Sequence, residues 1–200
     1  MPTLSEPAIA SLLTPYLLEA PAFILPQLST YLDLLLKWNA RTNLTAIRDP
    51  EEIVRRHFGE GLFAATHLDP DTTTLLDFGS GAGFPGLPIA LLRPDIHVTL
   101  AESQNKKATF LREVVRTLNL PTEVWSNRVE AMPVTRQFHT VTLRAVDNMT
   151  AALAAAAPRA AHQLILLASS VPTLPPDFSP KPLIPMPNSA AAILLRAIRA

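Results

Sequence analysis

Residues 77–86 read DFGSGAGFPG and hold four of the six glycines in the chain. Glycines gathered so tightly mark a backbone that must turn through left-handed angles and pass close to something a side chain would obstruct. Upstream, TTTLL is β-branched and then apolar, as in a strand buried within a parallel sheet. Downstream, LPIALLRPD has the composition of a short apolar helix. Strand, glycine-rich turn and helix in that order form the first unit of a nucleotide-binding α/β sheet.

The pattern on either side agrees with that class. Candidate strands lie at 73–78, 97–102, 122–126, 139–145 and 163–168, separated by helices at 86–92, 105–119 and 149–160 and a short segment near 129–132. Alternation of this kind predicts a parallel sheet with helices on both faces. The helix at 105–119 is the clearest, with Ala108, Leu111, Val115 and Leu118 along one stripe. Before the sheet, residues 1–26 carry five prolines and predict irregular chain or short helices. Leu28, Tyr31, Leu32 and Leu35 line one face of a helix over 27–40, and Asp49-Pro50-Glu51-Glu52 reads as the capped start of another helix reaching to about 67. After the sheet, residues 171–187 hold seven prolines, which exclude a central strand and suit an edge strand or extended loop. SAAAILLRAIRA then returns as a last apolar strand.

Composition excludes several classes. Two hundred residues, 48% hydrophobic and 17% charged, describe one domain with a substantial core rather than a disordered chain. There is no cysteine, hence no disulfide framework, thiolate metal site or thiol nucleophile, and no metal site is expected. The N-terminus lacks the pattern of a secretion signal, and no apolar run reaches the ~18 residues of a membrane span. The expectation is a soluble, cytoplasmic monomer. Net charge is zero, so any nucleic-acid surface must be a local patch. Candidates are Lys37, Arg41, Arg48, Arg55 and Arg56 before the sheet and Lys106, Lys107, Arg112 and Arg116 after the second strand, all with acids interspersed.

The loop itself can be read in two ways. Gly81, Gly83 and Gly86 fit the dinucleotide pattern G-x-G-x-x-G, while Asp77, Gly79, Gly81 and Gly83 fit the D-x-G-x-G-x-G turn of S-adenosylmethionine-dependent methyltransferases. Glu102 ends the second strand about twenty residues further on, where an acid accepts hydrogen bonds from both ribose hydroxyls. NAD and S-adenosylmethionine share that ribose. Asp77 separates them, because a carboxylate repels a pyrophosphate but tolerates a sulfonium. The loop leans toward a methyl donor.

Taken in order, WNARTNLTAIRDPEEIVRRHF, LLDFGSGAGFPGLPIALLRPD, LAESQNKKATFLREV, NRVE and LRAV resemble the RsmG (GidB) family of small-subunit (16S) ribosomal RNA guanine-N7 methyltransferases, over about residues 31–146. The resemblance implies a Rossmann-like, seven-stranded class I methyltransferase sheet with helices on both faces. A helical cap (1–70) would belong to the same domain as a core at 71–200 that binds S-adenosylmethionine. It implies donor contacts from Asp77, Gly79, Gly81, Gly83 and Phe84 in the loop, Glu102 and Ser103 at the ribose, and Val129 and Glu130 at the adenine. Arg144 stands at the mouth of the site, as both a donor contact and the catalytic residue, acting by position. Asn39, Asn43 and His57 occupy family-like places in the cap. The implied partner is 16S RNA or the small ribosomal subunit, with Arg41, Arg55, Arg56 and Lys106 as phosphate contacts and an unpaired guanine as substrate. Two departures stand out: Glu60-Gly61 replaces the usual Asp-Ser after the histidine, and Ala168-Ser169 replaces the usual Lys-Gly after the fifth strand. They leave room for a catalytically weak RNA-binding or assembly factor, and the glycine pattern alone leaves room for an NAD-dependent oxidoreductase.

Overall fold

A computed structural model describes residues 1–146 and 148–200. Its centre is one sheet of eight strands: β1 (Thr74–Phe78), β2 (His97–Ala101), β3 (Glu123–Trp125), β4 (Phe138–Arg144), β5 (Ala160–Ala168), β6 (Phe178–Pro180), β7 (Ile184–Pro185) and β8 (Ile193–Arg199). The spatial order is β3-β2-β1-β4-β5-β8-β6, with β7 also on β8. The first five strands are parallel, and β8 runs antiparallel to β5. β6 pairs with residues 197–199 of β8 and β7 with residues 193–194, so the two short pieces share one edge lane. Eight strands thus fill seven lanes. The proline-rich segment supplies that edge, where its missing N–H groups cost no interior hydrogen bonds.

Side-chain alternation assigns the faces. Along β5, Ile165 and Leu167 join one core while Leu164 and Leu166 join the other, and Leu194 and Leu195 of β8 divide in the same way. The first face carries the N-terminal cap: α1 (Glu6–Leu13), α2 (Leu25–Thr42), α3 (Pro50–Ile53) and α4 (Glu60–Thr66), together with α5 (Gly86–Leu92) and α6 (Asn105–Thr117). The second face is covered by α7 (Met149–Ala156) and the 3₁₀ turns Val129–Ala131 and Ala157–Arg159. Cap and sheet share one hydrophobic cluster, from Ile9 and Leu28 through Phe58 to Leu75, Val98 and Phe110. Trp38 adds a polar tie by donating its indole N–H to Glu113 of α6 at 3.0 Å.

The helix expected over 49–67 starts where its sequence indicates, with the Asp49 carboxylate accepting from the Glu52 N–H at 2.8 Å. It is not uniform, however. Between α3 and α4, Val54–Gly59 forms a π-helical turn. Gly59 makes room for it: a Cβ there would lie 2.5 Å from the Tyr16 ring, which packs against that turn. Widened turns of this kind re-aim side chains and are frequent at functional sites. Here the turn carries Arg56 and His57 to the open ends of the strands.

Candidate functional site

The chain turns one way from β1 to β2 and β3, then crosses to β4 on the other side. That reversal leaves a crevice at the C-terminal ends of β1 and β4, the usual ligand position in open α/β sheets. A cavity of about 410 Å³ occupies it, walled by the glycine loop, Glu102, Arg144 and, from the cap, Thr45 and His57. A larger one, about 580 Å³, lies between α7 and the proline-rich segment and is mostly apolar. Convergent polar groups favour the first as the site of chemistry.

Gly79, Gly81 and Gly83 have φ of 70°, 57° and 98°, all in the left-handed region. They serve different ends. Among the described residues, a Cβ on Gly79 would meet only Val146, at 3.8 Å, and one on Gly81 only the Gly79 carbonyl, at 3.9 Å. Both line the cavity, so their missing side chains leave backbone exposed to a ligand. A Cβ on Gly83 would lie 2.4 Å from Leu87 and 2.6 Å from the Tyr31 hydroxyl, which makes Gly83 a packing residue outside the cavity wall. Tyr31, fully buried on α2, donates its hydroxyl to the Ala82 carbonyl and pins the loop to the cap.

Glu102 crosses from the end of β2 to the loop. One carboxylate oxygen accepts from the Gly81 N–H at 3.0 Å and the other from the Gln104 N–H at 2.7 Å. A carboxylate has about four acceptor sites, so two remain for a ligand. Phe84 stacks between Tyr31 (5.4 Å between ring centroids) and His57 (4.6 Å) and forms an apolar wall.

His57 is held neutral. Burial and the nearby Arg144 and Arg56 guanidinia lower its pKa to about 3. Its Nε2 lies 2.7 Å from the Thr45 hydroxyl, and its Nδ1 is buried with no partner among the described residues. Asn39 holds Thr45 in place by donating to its carbonyl and accepting from its N–H, both at 3.0 Å. Asn43 is the left-handed end of α2, with φ of 45°, and takes a hydrogen bond from Arg48.

Arg144 ends β4 and is clamped. Its Nε and one terminal nitrogen donate to a single Glu60 oxygen at 3.1 and 2.8 Å, and that nitrogen also donates to the Arg56 carbonyl. Glu60, only 5% exposed, takes Arg56 on its other oxygen at 3.2 Å. The sequence departure at this position therefore places a buried carboxylate between two guanidinia. Arg144 also forms part of a second cavity, about 210 Å³, reached by Glu60, Ser169 and Met186. The two spaces meet at its side chain.

The crevice thus gathers Gly79, Gly81, Phe84, Glu102 and Arg144 from the expected set. Asp77 lies apart from these. It is fully buried beneath the loop, accepting from the Gly86 N–H at 3.1 Å and the Thr142 hydroxyl at 2.9 Å, and desolvation raises its pKa to about 6. It does not line the cavity, so it offers a ligand there no direct contact. Ser103 is exposed and outside the wall, where Gln104 stands instead. Val129 is packed in the second core and Glu130 is exposed beside it; neither lines the cavity. Of the expected phosphate contacts, Arg55 pairs with Glu51 at 2.8 Å and Arg56 with Glu60, whereas Arg41 and Lys106 are exposed with no ion pair among the described residues. Sequence reasoning missed Thr45, Gln104 and Lys107 as wall residues; the turn TNLT and the KK pair were the available signals.

No helix among the described residues is long and apolar enough to cross a membrane. Among solved structures, the chain is similar to TrmN from Thermus thermophilus (TM-score 0.57, 15% identity, covering 74% of this chain and 53% of that one). It is also similar to the mitomycin 7-O-methyltransferase MmcR (0.57, 13%, 89% and 70%). At such identities the likeness establishes the fold, which is that of class I methyltransferases. Closer relatives are curated ribosomal RNA small subunit methyltransferase G proteins from Chromobacterium violaceum (46% identical over 124 residues, 62% of this chain) and Xanthomonas euvesicatoria (42% over 134, 66%). The chain spans 59% and 62% of their respective lengths. The family model described as rRNA small subunit methyltransferase G matches residues 24–169, from the start of the long cap helix to the end of the fifth strand, and this chain belongs to that GidB family.

Proposed function

We propose that this chain transfers a methyl group from S-adenosylmethionine to N7 of a guanine in small-subunit ribosomal RNA. The observation that carries the reading is the pair of cavities meeting at Arg144, the larger beside Glu102 and the glycine loop, the smaller open toward Ser169. Family membership and the names of the relatives support the substrate.

The residues present fit the donor. The cavity is of ligand size. A Cβ on Gly79 or Gly81 would fill space that backbone leaves free, and Glu102 keeps acceptor capacity for two hydroxyls. Bound there, S-adenosylmethionine supplies an electrophilic methyl group on a sulfonium. Glu102 orients the ribose, and the Gly79–Gly81 backbone takes the amino-acid end. Family likeness, rather than the cavity wall, supports an adenine end lying toward the turn at Val129 and Glu130 beyond β3, which would extend the donor site past that wall.

Guanine N7 has a lone pair and no proton, so no base must act before attack. Among the described wall residues the one imidazole, His57, is with a pKa near 3 too weak a base for neutral pH. What the chain supplies is alignment. Glu60 and the Arg56 carbonyl fix the Arg144 guanidinium between the two spaces, and Phe84 and His57 exclude water from one side. Arg144 is a positioning residue in this scheme. Arg41 and Lys106 are the phosphate contacts left unneutralised, with Arg55 and Arg56 secondary. The test is incubation of unmodified small-subunit RNA with the protein and methyl-labelled donor, followed by nucleoside analysis. Label on 7-methylguanosine supports the proposal. Label on another position removes the N7 assignment, and donor binding without transfer favours an assembly factor.

A further inference from the structure

At the other end of the sheet, His139 lies near the start of β4 and His162 near the start of β5, with Asp69 in the connection leading to β1. The pairing of β4 with β5 shifts register here: Phe138 opposes Ala160 but Thr140 opposes Gln163, so His139 faces two residues of β5. That bulge brings the two imidazoles together, with ring centroids 4.8 Å apart. Each of the three residues offers a ligand atom within 4.8 Å of the others. The His162 Nε2 lies 3.4 Å from an Asp69 carboxylate oxygen. That is long for a hydrogen bond, yet it equals the edge of a zinc tetrahedron, about 3.4 Å for ligands at ~2.1 Å.

The surroundings supply outer partners. His139 Nδ1 stands 3.3 Å from the Thr72 hydroxyl and 3.2 Å from that of Thr140, which fixes the ring and leaves Nε2 for a metal. Asp69 is held through its N–H, donated to Gln163 Oε1, and through one carboxylate oxygen, which accepts from the Asp71 N–H at 3.0 Å. We propose that Asp69, His139 and His162 form a binding site for a divalent transition metal of the zinc class. Two imidazoles and one carboxylate are a common zinc donor set, with the fourth position left to water. Ligand atoms within 4.8 Å of one another must draw closer to complete a tetrahedron, a shift open to a partly exposed His139 ring.

The site lies one strand length from the crevice, about 16 Å along β4 from residue 139 to 144. Its place suggests structural work. A bound ion would tie the cap-to-sheet connection at Asp69 to the first turns of β4 and β5, leaving the donor cavity untouched.

The test uses the untagged full chain, stripped with chelator and titrated with Zn²⁺ by calorimetry and with Co²⁺ by visible spectroscopy. One equivalent of zinc, tetrahedral cobalt bands and a raised melting temperature are expected. In H139A, H162A and D69N, affinity should fall by more than the ~10–100-fold that losing an outer partner costs. H97A, on an exposed histidine of β2, should bind as the parent does. Far-ultraviolet circular dichroism and donor-product affinity report whether each variant has folded, and H162Q replaces any that has not. No binding by the parent, or unchanged binding in both folded histidine variants, overturns the proposal.

Discussion

Asp77→Asn separates two roles for the loop carboxylate. In the folded chain the group has a pKa of about 6 because burial disfavours its charge, against 3.8 for a free side chain. The folded state therefore holds the proton more tightly than the unfolded state does. Stability attributable to Asp77 is intact below pH 3.8, declines as pH rises toward 6 and is lost above it. A pKa raised from 3.8 to about 6 corresponds to about 3 kcal/mol at pH 7. Asparagine can keep both hydrogen bonds, with its oxygen accepting from the Gly86 N–H and its amide donating to Thr142, and it removes the charge. Urea unfolding of parent and D77N across pH 4–8 isolates the effect. D77N should gain on the parent by up to about 3 kcal/mol between pH 4 and 7, while donor-product affinity stays within a few-fold. Parallel stability curves would refute the buried-charge argument. A large loss of donor affinity in a folded D77N would restore Asp77 to the binding site.

Other perturbations read other parts of the account. Gly83→Ala forces a Cβ onto Leu87 and the Tyr31 hydroxyl and should cost about 1–3 kcal/mol beyond its backbone strain, whereas Gly79→Ala pays only about 1–2 kcal/mol of backbone strain; thermal melts rank the two, and an equal loss contradicts the packing role. Glu102→Ala releases two charged hydrogen bonds to the loop as well as the ribose acceptor, so calorimetry with S-adenosylhomocysteine should show an affinity loss on the order of 100-fold or more. Glu60→Ala strands the nearly buried Arg144 and should destabilise the chain by about 3–5 kcal/mol, with Glu60→Gln milder; a neutral Glu60→Ala would remove the clamp from the mechanism. Arg41→Glu or Lys106→Glu should weaken RNA binding and flatten its salt dependence while sparing donor affinity, and Arg55→Glu should do less, since Glu51 already neutralises that side chain.

What could be read in the sequence was whatever local chemistry decides. The glycine loop, the strand–helix alternation, the Asp49 cap and the stripe on α6 depend on neighbours in sequence, and each stands within a few residues of its expected place. Strand β5 begins earlier than the expected 163, since Ala160, Ala161 and His162 carry no strand signature of their own and it is pairing of Ala160 with Phe138 of β4 that extends the strand. The π turn at Val54–Gly59 is likewise invisible, since it packs against Tyr16, in the turn after α1 and about forty residues earlier in the chain. The site residues divide on the same line. Glu102 is legible because strand-end acids have one place to go. For Asp77 the motif gives the position but not the direction of the side chain, which is fixed by the Gly86 N–H and by Thr142, 65 residues away. Arg144 lines the crevice where the strand end puts it, but its partner Glu60 lies 84 residues away and no spacing links the two.

The central claim is that the crevice above β1 and β4 holds the methyl donor, with Glu102 at its ribose. A crystal structure of the chain grown with S-adenosylhomocysteine tests it most directly. The account predicts both ribose hydroxyls on the Glu102 carboxylate and the amino-acid end over Gly79 and Gly81. Ligand density in the apolar cavity beside α7, or a crevice still empty at saturating ligand, would contradict it.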